Sequence, residues 1–269
     1  MKQLFLKIQA WLEILGHFGN PVLVTILRLG LLKLPVFPYR ITSRGATYKL
    51  LARPESIKHS DLNILRTVLV EEEYKLLREF LPKGPLRMVD IGANLGSFTM
   101  WIEKIRGLSE AFCFEPDPGS FNLCRFNLAA NDCVAAVAIP MALGGASREI
   151  DMWVSSNQPC SHNIYGKPSG VAHETKKVQV LALKEWLESV EGDFDLLKMD
   201  CEGAEWEILR NTPRESLRRF KLILAELHGD PTQDTPITEC RRILEEAGFE
   251  TLLDENRYHG LYIARRKEA

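Results

Sequence analysis

Short apolar runs alternate along the chain with segments whose apolar residues recur at helical spacing, from Leu86 almost to the C-terminus. The runs predict parallel strands at residues 86–90, 111–115, 134–140, 194–200 and 222–226. Helices are predicted between them near residues 98–102, 120–130, 183–190 and 206–210, and again at 238–247 before Gly248. Residues 249–253 and 261–264 predict a closing antiparallel pair. This alternation is typical of an α/β fold whose parallel sheet carries helices on both faces.

The N-terminal part has a different pattern. Leu4, Ile8, Trp11 and Leu15 fall on one helical face, and Asn20-Pro21 predicts the start of a second helix. Residues 39–53 predict a small hairpin, and Ser60 an N-cap for a single helix over residues 61–81. We therefore divide the chain into a helical lead-in with a hairpin (1–59) and an α/β domain (60–269) with a β-hairpin insertion near 149–181.

Two polar stretches of the chain can each be interpreted in two ways. Glu71, Glu72, Glu73 and Tyr74 either form a solvated helix face or line the mouth of a site. The polar loop of the insertion, at residues 160–165, either selects a substrate or is an ordinary surface hairpin.

Composition excludes several classes of protein. The chain has 269 residues, 45% of them apolar and 26% charged, with a net charge of −2, so no basic excess points to nucleic acid. Six cysteines without paired spacing argue against a disulfide framework or a zinc site and predict a reducing, cytoplasmic setting.

Charged residues, among them Lys7, Glu13, Arg28 and Lys33, interrupt the apolar N-terminus, which predicts no membrane span. Contact of residues 1–37 with a membrane surface, or with a second copy of the chain, stays open.

A glycine turn follows the first strand of the α/β domain. Gly92 and Gly96 permit a tight turn, and Ser97 and Phe98 begin a helix whose free N–H groups face a ligand. A dinucleotide fingerprint has a third glycine, and an aspartate at position 90 repels a pyrophosphate. Asp90 instead favours a cation such as the sulfonium of S-adenosylmethionine (SAM). The alternative is an ordinary turn whose glycines serve packing alone.

A second acidic residue strengthens the prediction of a SAM site. Glu115 ends the second strand about twenty residues after the turn, where a carboxylate accepts hydrogen bonds from ribose hydroxyls, and Pro116 stops the strand. The small-residue stretch 141–144 could hold the adenine ring. The predicted cofactor-binding residues are Asp90, Gly92, Ala93, Asn94, Gly96, Ser97, Phe98, Glu115, Pro116, Ala142 and Asp200.

Polar residues also end the later strands on the same sheet edge, at Asp200 and in the Glu226–His228 segment. Asp200, Glu202 and His228 are the predicted catalytic residues. His228 is a suitable base for a hydroxyl proton, and either carboxylate could orient it or replace it. The same three side chains could instead hold a divalent cation. Glu205, at a helix start, has a structural explanation in the helix dipole.

The chain resembles the FkbM-type SAM-dependent methyltransferases. The resemblance rests on VDIGANLGSFT (89–99), FEPD (114–117) with Asn127 and Leu128, and LKMDCEGAE (197–205). It implies a class I, Rossmann-like fold of seven strands, the last antiparallel, and O-methylation of a sugar or natural-product hydroxyl. By position it puts the residues of the glycine turn around the methionine part of SAM and Glu115 on its ribose. Cys201 departs from the aliphatic residue expected there, and the N-terminal segment is not covered.

Two other functions remain in view. A NAD-dependent oxidoreductase fits the fold but not the turn, and a catalytically silent SAM-binding module would tolerate the loss of Asp200 or His228. The sequence leaves the acceptor unidentified.

Overall fold

The computed structural model describes residues 16–28, 34–54, 61–155, 158–163, 173–228, 236–254 and 260–268. Side chains at 28, 153–155, 158–163, 173, 174, 236 and 237 are outside the description. The N-terminal elements are α1 (Pro21–Arg28), β1 (Phe37–Ser43), β2 (Ala46–Ala52) and α2 (Asp61–Leu65). The amphipathic pattern over residues 4–15, the N-cap at Ser60 and Tyr165 of the polar loop fall outside the described residues.

Outside residues 136–182, where five strands follow one another, strands and helices occur in the expected order. The strands are β3 (Leu86–Ile91), β4 (Leu108–Phe114), β5 (Ala136–Ile139), β6 (Ala142–Gly144), β7 (Arg148–Ser155), β8 (Gln158–Asn163), β9 (His173–Ala182), β10 (Phe194–Met199), β11 (Phe220–Leu227), β12 (Phe249–Asp254) and β13 (Gly260–Arg266). The helices are α3 (Ser97–Ile105), α4 (Pro118–Ala130), α5 (Leu183–Ser189), α6 (Glu205–Asn211), α7 (Arg214–Leu217) and α8 (Pro236–Glu246).

Seven strands form the main sheet in the order β12-β13-β11-β10-β3-β4-β5. Strands β3, β4, β5, β10 and β11 are parallel, and β13 runs antiparallel to both β11 and β12. The predicted α/β, Rossmann-like sheet with an antiparallel last strand is confirmed. The chain crosses from one side of β3 to the other after β5, so the ends of β3 and β10 open into one crevice, the usual position of a ligand in such sheets.

Helices cover both faces of this sheet. One apolar cluster joins the hairpin, α3 and α4 to the sheet, and a second joins α5, α6 and α8 to the opposite face. The second cluster contains an aromatic group in which Trp186 packs against Phe112, Phe114 and Phe194. Burial on both faces explains why β3, β10 and β11 are nearly continuous apolar runs in the sequence.

The predicted N-terminal hairpin is β1–β2, and side chains of α4 and of its C-cap residue hold the free edge of β2. Asn127 accepts a hydrogen bond from the Leu51 N–H at 2.7 Å and donates one to the Leu51 carbonyl at 3.1 Å. Asn131 makes the same pair of bonds to Lys49, at 3.0 and 2.7 Å. The two asparagines thus act as a neighbouring strand would, and the hairpin packs against the α/β domain although the predicted boundary separates them.

The single helix predicted over residues 61–81 is wrong. Helix α2 continues as a π-helix over Arg66–Glu71, Glu72 then adopts a left-handed conformation (φ 52°), and a 3₁₀ helix follows at Lys75–Glu79. The buried Glu72 carboxylate accepts from Arg44 at 2.9 Å, from Trp101 at 3.2 Å and from Arg78. Arg44 and Trp101 come from distant parts of the chain, and the interactions with Glu72 offset the cost of breaking the helix.

The insertion is larger than the predicted hairpin. Strands β7 and β9 form the predicted antiparallel pair, but β6 and β8 join them in a separate four-stranded sheet of order β6-β9-β7-β8. The predicted polar loop begins as strand β8, whose side chains are outside the description. Lys176 of β9 pairs with Asp117, the N-cap residue of α4, at 2.8 Å, which holds the small sheet beside the end of β4.

Two smaller predictions are confirmed at helix ends. The Asn20 side chain accepts from the Leu23 N–H at the start of α1, and Gly248 has a φ of 86° beyond the end of α8. No helix among the described residues is long and apolar enough to cross a membrane.

Candidate functional site

A cavity of about 490 Å³ opens at the carboxyl edge of the main sheet. This volume lies within the range of roughly 300–1,000 Å³ of sites for small molecules. The turns after β3, β4, β10 and β11 form its floor, and Leu143 and Met152 of the small sheet form one wall. Of the residues predicted for the site, Gly92, Ala93, Asn94, Ser97, Phe98, Glu115, Pro116, Ala142, Asp200, Glu202 and His228 line this cavity.

The glycine turn after β3 requires its first glycine. Gly92 has a φ of 75°, and a Cβ there would lie 1.9 Å from the Asp200 carbonyl oxygen. Both Gly92 and Ala93 donate to the Phe114 carbonyl, at 3.1 and 3.0 Å, and Asn94 is left-handed with a φ of 49°. Gly92 therefore brings the ends of β3 and β10 into backbone contact, and the turn faces the cavity.

Gly96 differs from the expectation that it contacts a ligand. It is the N-cap of α3 with a φ of 76°, and a Cβ there would meet Cys124 at 3.2 Å and Leu128 at 3.3 Å. The residue lies behind the turn and does not line the cavity. Its small size serves the packing of α3 against α4.

Glu115 is held by main-chain donors at the end of β4. One carboxylate oxygen accepts from the Asn94 N–H at 2.9 Å and the other from the Asp117 N–H at 2.8 Å. Burial raises the pKa of Glu115 to about 7 despite these two bonds. The Asn94 Oδ1 atom is also buried at this place without a hydrogen-bond partner among the described residues. Two acceptors here thus face the cavity, ready for the donors of a polar ligand.

Asp90 also differs from its expected position. Its side chain is fully buried, does not line the cavity, and accepts from the Thr99 hydroxyl at 2.8 Å. Lys198 lies directly opposite Asp90 in the β3–β10 register, with its ammonium 3.2 Å from the Asp90 carboxylate. Burial disfavours the charged ammonium, but the charges of Asp90 and Asp200 outweigh it and raise the pKa of Lys198. The cation that neutralises the Asp90 carboxylate is therefore Lys198, a side chain of the protein itself.

Lys198 also connects the glycine turn to the acidic side of the cavity. Its ammonium donates to the Gly92 carbonyl at 2.9 Å and lies 3.6 Å from the Asp200 carboxylate. A lysine inside an apolar strand was the sequence signal for this pairing, because a buried ammonium requires an anion.

Glu205 organises the turn between β10 and α6. Its buried carboxylate accepts from the Cys201 and Gly203 N–H groups at 2.8 and 3.0 Å. It also lies 3.0 Å from Nδ1 of His228. Glu205 therefore positions both the acidic turn and the histidine, which is more than the helix dipole alone explains.

His228 faces the two predicted catalytic carboxylates. Its Nε2 lies 3.9 Å from Asp200 Oδ1 and 3.9 Å from Glu202 Oε2. Burial disfavours the imidazolium, but the hydrogen bond and charge of Glu205 prevail, and the pKa of His228 rises to about 10. The imidazole is therefore protonated at neutral pH, which does not favour the predicted role of His228 as the base.

Other cavity residues were not among the predicted site residues. Glu73 and Tyr74 line the mouth, as one of the two interpretations of residues 71–74 expected, because the break at Glu72 turns them toward the sheet edge. Tyr74 is buried and packs edge-on against Phe98 at 5.0 Å. Glu226, the second-last residue of strand β11, also lines the cavity. Its sequence signal was its position at a strand end, two residues before His228.

The described residues contain no group of three or more His, Cys, Asp or Glu side chains arranged to hold a metal ion. The divalent-cation alternative for Asp200, Glu202 and His228 therefore has no geometric support.

Known proteins resemble this chain over more than half of its length. The chain is 26% identical to the methyltransferase sdnD of Sordaria araneosa over 204 residues, which are 65% of this chain and 77% of that protein. It is 30% identical to the 2-O-methyltransferase NoeI of Sinorhizobium fredii over 171 residues, 57% of this chain and 68% of the relative.

A solved structure gives a loose superposition. The crystal structure of methyltransferase FkbM from Methylobacillus flagellatus aligns with a TM-score of 0.45 and 12% identity, over 76% of this chain and 53% of that one.

A family model matches a longer part of the chain than any of the three sequence motifs does. The model of the methyltransferase FkbM domain matches residues 90–251, more than half of the chain, from the glycine turn to β12. The chain belongs to the FkbM family of methyltransferases.

Proposed function

We propose that this protein transfers a methyl group from SAM to a hydroxyl oxygen of a small-molecule or glycan acceptor. The proposal rests on one observation: a single cavity has two ends that differ in chemistry. Glu115 and the glycine turn form a polar binding end, and Asp200, Glu202 and His228 form an acid–base end. The name of the relative NoeI, a 2-O-methyltransferase, supports oxygen as the methylated atom.

The binding end fits SAM by its chemistry. Each oxygen of Glu115 already accepts one main-chain bond, which fixes the carboxylate and leaves further lone pairs for the two ribose hydroxyls. Asn94 Oδ1, which has no partner among the residues that the structure describes, can accept from the ligand as well. Ala142 and Leu143 offer an apolar wall for the adenine. Bound SAM supplies a methyl group on a positively charged sulfur.

The acid–base end must remove a proton from the acceptor hydroxyl. His228 is protonated at neutral pH, so we assign the proton acceptor to the Asp200–Glu202 pair and give His228 the role of a fixed cation beside it. Partial burial raises the pKa of Glu202 toward neutrality, which suits a general base. Glu205 acts through His228 and is a positioning residue.

Calorimetry with SAM and NAD tests the binding end directly. We expect SAM to bind and NAD not to bind. Glu115→Gln should weaken SAM by about tenfold, because an amide cannot accept from both main-chain N–H groups and the ribose. Glu188→Gln, an exposed change on α5, is the matched control and should leave binding unchanged. Tight NAD binding, or full SAM affinity in Glu115→Gln, would refute this assignment.

Labelled SAM and an acceptor panel test the transfer. The panel contains sugars, polyketide-like polyols and matched amines, and mass spectrometry and NMR place the methyl group. We expect label on a hydroxyl oxygen, with a loss of about 100-fold or more in kcat for Asp200→Asn or Glu202→Gln, the size of a general-base effect. Asp132→Asn, exposed and far from the cavity, is the control. Methylation of nitrogen alone, or full activity in both variants, contradicts the proposal.

A further inference from the structure

The cavity contains an excess of acidic side chains. Its only basic lining residues among those the structure describes are Lys198 and His228. Lys198 is engaged by Asp90 and the Gly92 carbonyl, and His228 by Glu205. The acidic lining residues are Glu73, Glu115, Asp200, Glu202 and Glu226. Since Asp90 and Glu205 already balance the two cations, the lining acids have no matching positive charge.

Glu226 is one of the lining acids that have no ion-pair partner among the described side chains. Within the described ranges it has no Lys, Arg or His nitrogen within 4 Å, and its side chain is partly buried at the cavity floor. The charged groups that face it are Asp200 and Glu73, which oppose its ionisation, and His228 and Lys198, which favour it. Burial first, and Asp200 second, raise the pKa of Glu226 to about 8.

Glu73 approaches the same space from the opposite wall. It follows the left-handed Glu72, and its N–H donates to the Thr67 carbonyl at 3.0 Å. Its carboxylate lies at the open mouth near Asp200, Lys198 and Glu71. Partial burial and the Asp200 charge raise the pKa of Glu73 to about 7. Like Glu226, it lacks a basic partner within 4 Å in the described part of the chain.

We propose that Glu226, supported by Glu73, makes this cavity selective for ligands with a positive charge, so that the sulfonium donor binds more tightly than its uncharged product. The proposal rests on SAM being the donor. Loss of the methyl group leaves a neutral sulfur, which removes the attraction that retained the ligand. The acidic excess therefore favours release of S-adenosylhomocysteine (SAH) after transfer.

The sign of the pH effect follows from the charges. A cation in the cavity stabilises ionised carboxylates, so it lowers the pKa of Glu226 and causes release of a proton near pH 7.5. The affinity for SAM should therefore rise between pH 6.5 and 8.5. The slope of the logarithm of this affinity against pH equals the number of protons released on binding. SAH lacks the sulfonium charge, and its affinity should change less over the same range.

Calorimetry of the full chain with SAM and SAH, each in two buffers of different ionisation enthalpy, tests the proposal. We expect SAM to bind about five- to tenfold more tightly than SAH, the size of one charge interaction in a cavity open to water. We also expect SAM to release more protons on binding than SAH does. Glu226→Gln should weaken SAM about fivefold, leave SAH unchanged and reduce the proton release to the smaller part contributed by Glu73. Glu73→Gln should act in the same direction but less, because Glu73 is more exposed.

The outcomes separate this inference from the proposed function. Equal affinity for SAM and SAH, or equal weakening of both by Glu226→Gln, overturns the charge selectivity while SAM remains the donor. Failure of both ligands to bind overturns the proposed function as well. Glu226→Gln should fold, because a neutral amide of the same size avoids the cost of burying a charge. Glu188→Gln must leave all four binding curves unchanged.

Discussion

Replacement of Gly92 by alanine tests the contact that joins the two halves of the site. Gly92 has a φ of 75°, and the added Cβ would lie 1.9 Å from the Asp200 carbonyl oxygen and 2.9 Å from its carbonyl carbon. Both atoms belong to the backbone between β10 and α6, so no side-chain rotation can relieve the overlap. Either the glycine turn or the Asp200 turn must move.

The magnitude follows from two separate costs. A non-glycine residue with positive φ costs roughly 1–2 kcal/mol. Moving the turn also breaks bonds such as those from the Asp200 N–H to the Ile91 carbonyl (3.1 Å) and from the Gly92 N–H to Phe114 (3.1 Å). Each lost bond of this kind costs about 1 kcal/mol. Gly92→Ala should therefore lower the free energy of unfolding by about 3 kcal/mol or more.

Urea denaturation measures this loss, and Gly84→Ala isolates the contact. Gly84 has a φ of 89°, but a Cβ there would meet nothing within 4 Å. Its replacement should cost only the roughly 1–2 kcal/mol of the backbone conformation. Calorimetry should show that Gly92→Ala also loses SAM binding and that Gly84→Ala retains it. If the two variants were equally stable and bound SAM equally well, the inferred contact between the turns would be wrong.

Three further substitutions have expected outcomes. Lys198→Met leaves Asp90 buried without its cation and should lower the free energy of unfolding by about 3–5 kcal/mol in urea denaturation. Glu205→Gln removes the anion beside His228. The pKa of His228, measured by NMR titration, should therefore fall from about 10 toward the ordinary 6.5. Because the folded-state pKa of His228 is raised, its contribution to stability is complete below pH 6.5 and is lost as pH rises through about 10. Asn127→Ala frees the hairpin edge and should cost about 1–3 kcal/mol.

Matched controls separate these effects from general damage. Lys221→Met breaks an exposed pair with Asp195 and should cost at most about 1 kcal/mol. Glu188→Gln should leave the pKa of His228 at its wild-type value, and Asn122→Ala, exposed on α4, should leave stability unchanged. A wild-type pKa for His228 in Glu205→Gln, or stability losses equal to the controls in the other two variants, would contradict the assigned contacts.

The errors of the sequence prediction share a physical cause. The helix over residues 61–81 has a continuous helical pattern, yet Arg44 and Trp101 bind Glu72 and stabilise a break within it. Those partners lie 28 and 29 residues away along the chain, so no local pattern contains them. The same break places Glu73 at the cavity mouth, which is why the sequence left its role open.

The charged residues around the glycine turn show the same limit of sequence prediction. Asp90 does require a cation, as the sequence indicates, but the parallel register of β3 and β10 places Lys198 opposite it. His228 lies near its predicted partners, yet its protonation is determined by Glu205. In the sequence, the position of Glu205 at a helix start was already explained by the helix dipole. In both cases the residue types indicated chemistry, and the partner was decided by packing.

The sequence by itself determined the order of strands and helices, the parallel sheet and the edge at which the polar residues meet. These properties depend on local apolar periodicity and on the rule that parallel strands end at one edge. Only the tertiary structure decided which carboxylates pair with Lys198 and His228 and which acids face the cavity without a counterion. Ionic interactions depend on distances of a few ångströms between residues remote in the chain, and hydrophobic periodicity does not encode those distances.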